Sequence, residues 1–114
     1  MEISLTRTFE AEHSLPAIGV TERHAHSYDV ECGYAARVDP QIGCARPLQE
    51  LAADIDRVIE PLRGSYLNDV LEAAPTAEML ACWILARLPA PWEWVAIRAY
   101  GGYRCTIRRS DLPV

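Results

Sequence analysis

The chain has 114 residues, half of them apolar, and a formal net charge of −5, which fits one domain spanning residues 1–114 with a core that needs no staples. No run approaches the about 20 consecutive apolar residues of a membrane span, and an acidic domain is poorly suited to a phosphate backbone, so neither a membrane nor a nucleic acid is an expected partner. All eleven basic residues are arginine, which excludes lysine Schiff-base chemistry and a P-loop lysine.

Met1-Glu2-Ile3-Ser4-Leu5 has no basic start and no apolar h-region, so it does not read as a secretory signal. Residues 2 to about 13 alternate: Ile3, Leu5, Phe9 and Ala11 share one parity, which predicts a half-buried strand. Arg7 breaks the apolar parity, so that face is expected to be wet at one point. A loop is expected at Pro16 to Arg23. The run from His24 to about Val38 alternates again, with Tyr28, Val30, Cys32, Tyr34, Ala36 and Val38 on the apolar parity. Pro47 opens an amphipathic stripe of Leu48, Leu51, Ile55, Val58, Ile59 and Leu62, ended by Arg63-Gly64-Ser65. A short polar connector leads to a second helix, with Thr76 suited to its N-cap and Glu78 to its first turn, where the helix dipole favours an anion. Pro89 and Pro91 stop it. Residues 93–100 and 103–109 read as two strands around Gly101-Gly102, a hairpin signal.

The order ββααββ predicts an α+β fold, a four-stranded antiparallel sheet with two helices on one face. Its unpaired sheet edges suggest an oligomer. Cys32, Cys44, Cys82 and Cys105 show no C-x-x-C spacing, so free thiols in a reducing cytoplasmic setting are expected, each acting as a small buried hydrophobe. Tyr100, Tyr103 and the three tryptophans are expected in the core or at an interface, not as ring-stacking platforms.

The three histidines carry the main clue. His13 continues the apolar parity of the first strand, and His24 and His26 that of the second. If the strands form a hairpin, all three imidazoles project from one face at one end of the sheet. Two histidines at i and i+2 stand about 7 Å apart on one face, close enough for both rings to tilt onto one ion. Three neutral imidazoles with an open fourth position form the catalytic type of zinc site. A His-x-His at a strand start is otherwise ordinary polar decoration. The matching position of His13, with no other histidine in the chain, favours the metal-competent cluster.

Four motifs in order then bear on identity. They are Phe9-Glu10-Ala11-Glu12-His13-Ser14-Leu15-Pro16, His24-Ala25-His26-Ser27-Tyr28, Tyr66-Leu67-Asn68-Asp69 and Pro75-Thr76-Ala77-Glu78-Met79-Leu80-Ala81-Cys82-Trp83-Ile84. With them the chain resembles the 6-pyruvoyltetrahydropterin synthase family, which includes the 6-carboxytetrahydropterin synthases of deazapurine biosynthesis. The resemblance implies the T-fold, with ββααββ subunits closing into a barrel, usually a homohexamer of two stacked trimers. It also implies zinc on His13, His24 and His26, a pterin- or purine-like ligand, and Thr76 and Glu78 at the ligand pocket.

Other family positions depart. The family's cysteine belongs a few residues before the His-x-His, where Val20, Thr21, Glu22 and Arg23 stand. Cys32 lies about 20 Å along the strand from His26. The family's Asp-His pair is replaced by Arg63-Gly64-Ser65, its pterin-anchoring Glu falls near Ala99, and an Asp often found before the first helix is Pro47. Groups that act as a unit are lost together, so the standard synthase reaction is expected to be absent or very slow. Some family members use a Glu in place of the cysteine and cleave the pterin side chain. Glu22, one residue short of that spacing, is the candidate general base, or else a solvated loop carboxylate. Two classes therefore stand: a divergent, lyase-like zinc enzyme, or a non-catalytic ligand-binding or structural T-fold oligomer.

Overall fold

In the computed structural model, which describes residues 1–113, the first alternation becomes strand β1, Glu2–Leu15. Strand β2, Val20–Ala35, returns antiparallel to it. The expected loop of Pro16 to Arg23 is therefore mostly strand. Only a 3-10 turn at Pro16–Ile18 and Gly19 remain between the strands. Gly19 takes φ +84, a conformation that costs glycine nothing. Val20–Arg23 escaped a periodicity reading because both of their faces are exposed; pairing here follows from backbone hydrogen bonds, not from burial. A register shift between His13 and Leu15 accommodates the change of pairing.

Helix α1, Leu48–Ile59, continues through a 3-10 turn to Leu62. Helix α2 is a single turn at Leu67–Val70, within the connector. Helix α3, Ala77–Arg87, starts at Thr76, whose hydroxyl accepts from the Met79 N–H at 3.1 Å, as the N-cap assignment expected. Strands β3, Trp94–Arg98, and β4, Arg104–Arg108, form the second hairpin. The sheet order is β1-β2-β3-β4, antiparallel throughout.

One face of the sheet carries Phe9, Ala11, Tyr28, Val30, Cys32, Val95 and Ile97. Ile55 and Ile59 of α1, with Leu80, Ile84 and Leu85 of α3, close over it and are fully buried. Each such side chain stabilises the fold by about 1.5–3 kcal/mol. Both long helices thus share one face, as predicted. Arg7 lies on that same face, opposite Val30, and resolves its own anomaly: its guanidinium donates to both oxygens of Asp56 on α1, at 2.9 and 2.7 Å. Asp54, buried on α1, accepts from Trp92 Nε1 and from Arg46, each at 3.0 Å.

The β1–β2 hairpin is longer than the rest of the sheet. β3 pairs only with Asp29–Gly33 of β2, so His24 and His26 lie beyond it. The molecule measures 53 × 27 × 24 Å as a result. The outer edge of β1 is partly covered by the chain after α1. Gly64 N–H donates to the Glu10 carbonyl at 2.7 Å, and Glu12 N–H to the Ser65 carbonyl at 2.8 Å.

Candidate metal centre

His13 and His24 face each other directly in the β1–β2 register, and His26 follows two residues along β2. The alternation of the strands puts all three rings on one face. His13 is 1% exposed, while His24 and His26 are half-buried. Ring centroids stand 4.6 Å (His13–His24), 4.9 Å (His13–His26) and 4.6 Å (His24–His26) apart. One nitrogen of each ring lies within 4.8 Å of the others.

The hydrogen bonds decide which nitrogens carry protons. His13 Nδ1 is 2.9 Å from the Pro75 carbonyl, and His24 Nδ1 is 2.8 Å from the Glu22 carbonyl. A carbonyl oxygen only accepts, so both Nδ1 atoms are protonated and both Nε2 atoms present lone pairs. Those two Nε2 atoms approach to 3.0 Å. The buried Nε2 of His26 has no hydrogen-bond partner. Two facing lone pairs repel unless a cation, a metal ion or a shared proton, stands between them. Nitrogens at about 2.0–2.1 Å from a tetrahedral zinc ion stand about 3.3 Å apart, close to the spacing seen. Carbonyl partners on the outer nitrogens are the usual way of orienting metal-bound histidines. The group fits a metal ion held by three imidazoles.

Burial holds the His13 imidazole below its ordinary pKa, against the raising effect of the Pro75 carbonyl, and His24 lowers it further. Burial also lowers His26, with His13 and His24 adding to the effect. In both rings these effects favour the neutral imidazole, the form that binds metals.

The Tyr66-Leu67-Asn68-Asp69 turn has a structural task at this centre. Asn68 Oδ1 accepts from Ser14 N–H, and Asn68 Nδ2 donates to the Ser14 carbonyl, both at 2.9 Å. The side chain thus acts as a missing strand partner beside His13. Asn68→Ala is expected to destabilise the fold by about 1–3 kcal/mol and to weaken metal binding about tenfold, the scale of losing an outer-shell support. Thermal unfolding and chelator competition measure the two; an unchanged metal affinity would show that the hairpin alone holds His13.

The comparisons with known proteins now bear on this geometry. The family model for 6-pyruvoyl tetrahydropterin synthase matches residues 2–101. The chain belongs to the 6-pyruvoyl tetrahydropterin synthase family. Its fold superposes on 6-pyruvoyl tetrahydropterin synthase from Caenorhabditis elegans with a TM-score of 0.82 at 18% identity, covering 95% of this chain and 94% of that one. The T-fold expected from the motifs is the fold observed. Among curated proteins, none matches this chain by sequence.

In this member of the synthase family, the positions that departed in sequence are put to other use. Gly64 and Ser65 extend the sheet along the β1 edge, and Arg63 donates to the Thr8 carbonyl at 3.1 Å. Cys32 is buried in the core, and burial pushes its thiol up to about 12, which leaves it unreactive. No cysteine joins the histidine group among the described residues. Glu22 is exposed on β2, in the stretch where the register shifts, and outside the loop it was expected to occupy. Its backbone carbonyl contacts His24; its carboxylate makes no hydrogen bond among the described residues.

Thr76 and Glu78 line a cleft of about 450 Å³ together with Leu15, Ala99 and Tyr103. Tyr100 also lines it and stacks on His26, with centroids 3.9 Å apart. Trp92 and Trp94 are in the core as expected, but Tyr100 and Tyr103 are about half exposed on the cleft. The Gly101-Gly102 turn sets them there. Sequence reasoning also missed the Pro75 carbonyl, which only its place just before the Thr76 cap could have suggested.

Proposed function

We propose that this chain binds a pterin- or purine-like ligand beside a zinc ion held by His13, His24 and His26, and that it lacks the standard synthase reaction. The observation that carries the reading is the pair of Nε2 lone pairs at 3.0 Å with the orphaned Nε2 of His26. When bound, zinc supplies a Lewis acid for a ligand oxygen. Thr76 and Glu78 bind the ligand from the N-terminal end of α3, where free N–H groups are also available. Glu22 takes a proton from the ligand in any remaining lyase-like step. Arg63 cannot replace the lost Asp-His base, because guanidinium stays protonated.

The protein acts as a single domain, in the cytoplasm, as a homohexamer of two stacked trimers. Support for assembly comes from the outer edges of β1 and β4, which pair with no further strand among the described residues apart from the Glu12–Tyr66 bridge. No helix is long and apolar enough to cross a membrane.

Metal analysis of the purified protein, with a thermal-shift titration of pterins before and after chelation, tests the reading. Zinc near one per chain and pterin protection that chelation removes are expected. No metal and no protection would favour a structural T-fold oligomer. Conversion of dihydroneopterin triphosphate to either family product would overturn the loss of the synthase reaction. Glu22→Gln is expected to leave metal affinity nearly intact and to abolish any side-chain cleavage; retained cleavage would reject its role.

A further inference from the structure

Two of the four free cysteines lie on elements that pack directly together. Cys82 is on α3 and Cys105 on β4, and both are half-buried. The contacts around them fix how these elements run. Glu78, in the first turn of α3, accepts at Oε2 from the Tyr103 hydroxyl at 2.7 Å, just before β4 begins. Past the other end of β4, Arg109 donates to the Leu85 and Leu88 carbonyls at 3.3 and 3.0 Å. α3 and β4 therefore lie side by side and run in the same direction, pinned at both ends.

The two cysteines fall opposite each other in that alignment. Cys82 is four residues past Glu78, on the same flank of the helix and about 6 Å further along. Cys105 is two residues past Tyr103, on the same side of the extended chain and about 7 Å further along. Nearly equal advances from one anchored pair bring the two thiols together. Cys105 packs on the core beside Ile107, the side on which α3 lies. Coulombic contact agrees, since Cys82 raises the pKa of Cys105. The other two cysteines are elsewhere: Cys32 is buried in the core, and Cys44 lines a separate cleft with Met1 and Leu48.

Cys82 is the open member of the pair. It lines a cleft of about 440 Å³ with Met79, Trp83 and Leu112, where a small molecule reaches it. Burial holds both thiols above their ordinary pKa. Asp111 adds to this at Cys82, and Glu78 and Cys82 add to it at Cys105, against a backbone hydrogen bond with Ile97. Both are therefore mostly protonated at neutral pH, slow to react, and stable as thiols in a reducing setting.

We propose that Cys82 and Cys105 are a redox pair, which a small-molecule disulfide of the glutathione class converts into an internal disulfide tying α3 to β4. The Cys82 thiolate attacks one sulfur of the oxidant and expels one thiolate, which leaves a mixed disulfide on Cys82. The Cys105 thiolate then attacks the Cys82 sulfur and expels the second. Two protein thiols become one disulfide, the oxidant is reduced to two thiols, and the two protein protons pass to the departing thiolates. β4 ends the sheet with β3 as its one strand neighbour, so the bond adds a covalent tie to a strand held from one side. The inference is independent of the metal and ligand readings above.

Equilibration of the full-length protein with mixtures of reduced and oxidised glutathione tests this, after acid quenching, alkylation and tryptic mapping without reductant. The expected product joins the peptide Gly64–Arg87 to the peptide Cys105–Arg108. The equilibrium gives the effective concentration of one thiol at the other. It is expected to be at least about tenfold higher in the folded protein than in the chain denatured by guanidinium, because the fold brings the two together. Cys105→Ser is expected to stop at the mixed disulfide on Cys82, and Cys82→Ser to form no link to Cys105. The linked protein is expected to melt about 5 °C or more above the reduced protein. A smaller ratio between folded and denatured chains would overturn the pair and leave both cysteines as packing groups. Glutathione capping of both cysteines without a link, or a link through Cys44 instead, would overturn it as well. A linked protein that melts no higher than the reduced one would do the same, because the bond would then form only by distorting α3.

Discussion

His13→Ala is expected to lower zinc affinity by at least about 100-fold, the upper end of what losing only an outer-shell partner costs. His13 is the hub of the centre. It is 1% exposed, faces His24 across the hairpin, and packs edge-on against both other histidines. Its removal leaves two imidazoles on one strand, and two ligands cannot replace a three-imidazole set. The same change strands the Pro75 carbonyl, which now accepts from His13 Nδ1 at 2.9 Å. An unsatisfied buried carbonyl costs about 1–3 kcal/mol. Part of that is offset in the metal-free protein, because the facing lone pairs of His13 and His24 are separated at the same time. The variant should therefore lose nearly all zinc binding while the metal-free fold melts only modestly earlier. Competition against a chromophoric chelator measures the first effect, and thermal unfolding in chelator the second. A zinc affinity within threefold of the parent would remove His13 from the centre.

Gly33→Ala should be the most disruptive small change away from the histidines. Gly33 pairs with Trp94 across β2 and β3. A methyl group on Gly33 would overlap Trp94 Cζ2 and Cε2 and press on the Ile3 carbonyl oxygen at 2.9 Å. The indole cannot swing away freely: Trp94 is 8% exposed, and its Nε1 donates to Glu2. Overpacking of this kind costs about 1–3 kcal/mol, or about 4 °C of melting temperature per kcal/mol for a domain this size. Zinc affinity should be unchanged, since Gly33 lies about 30 Å along β2 from His24. Trp94→Leu in the same chain should recover part of the loss, because the two changes share one contact. No change in melting temperature would mean that the ring finds another place.

The separation of these two effects follows from how the sheet is built. Its middle is a packed core against α1 and α3, and the long hairpin carries the histidines past the end of β3. That projecting end needs local supports. Asn68 on Ser14, Pro75 on His13 and Glu22 on His24 provide them, each with at least one backbone group.

Much of this was legible in the residues. Period-2 alternation in β1 and β2 marked the buried face, and the same parity marked His13, His24 and His26 as neighbours on it. The stripes of α1 and α3 and the Thr76 cap were equally local signals, set by burial periodicity and by the backbone donors of a helix start. Val20–Arg23 were not legible as strand, because both of their faces meet water and only hydrogen bonding defines them. Helix α2 was missed for a related reason: a single turn of four residues has no periodicity to read.

The sequence by itself determined the element order, the buried parities and the clustering of three imidazoles, because each depends on spacing along one strand or one helix. Tertiary structure alone decided which ring nitrogens of His13 and His24 turn inward. The carbonyls that hold Nδ1 of His13 and His24 are backbone atoms, which carry no residue identity to read, and the one on His13 comes from 62 residues away. It also decided the place of Tyr100, since a ring's neighbours across a turn depend on how two hairpins pack. Chemistry at this site therefore rests on residues named by the sequence and on lone pairs aimed by the fold.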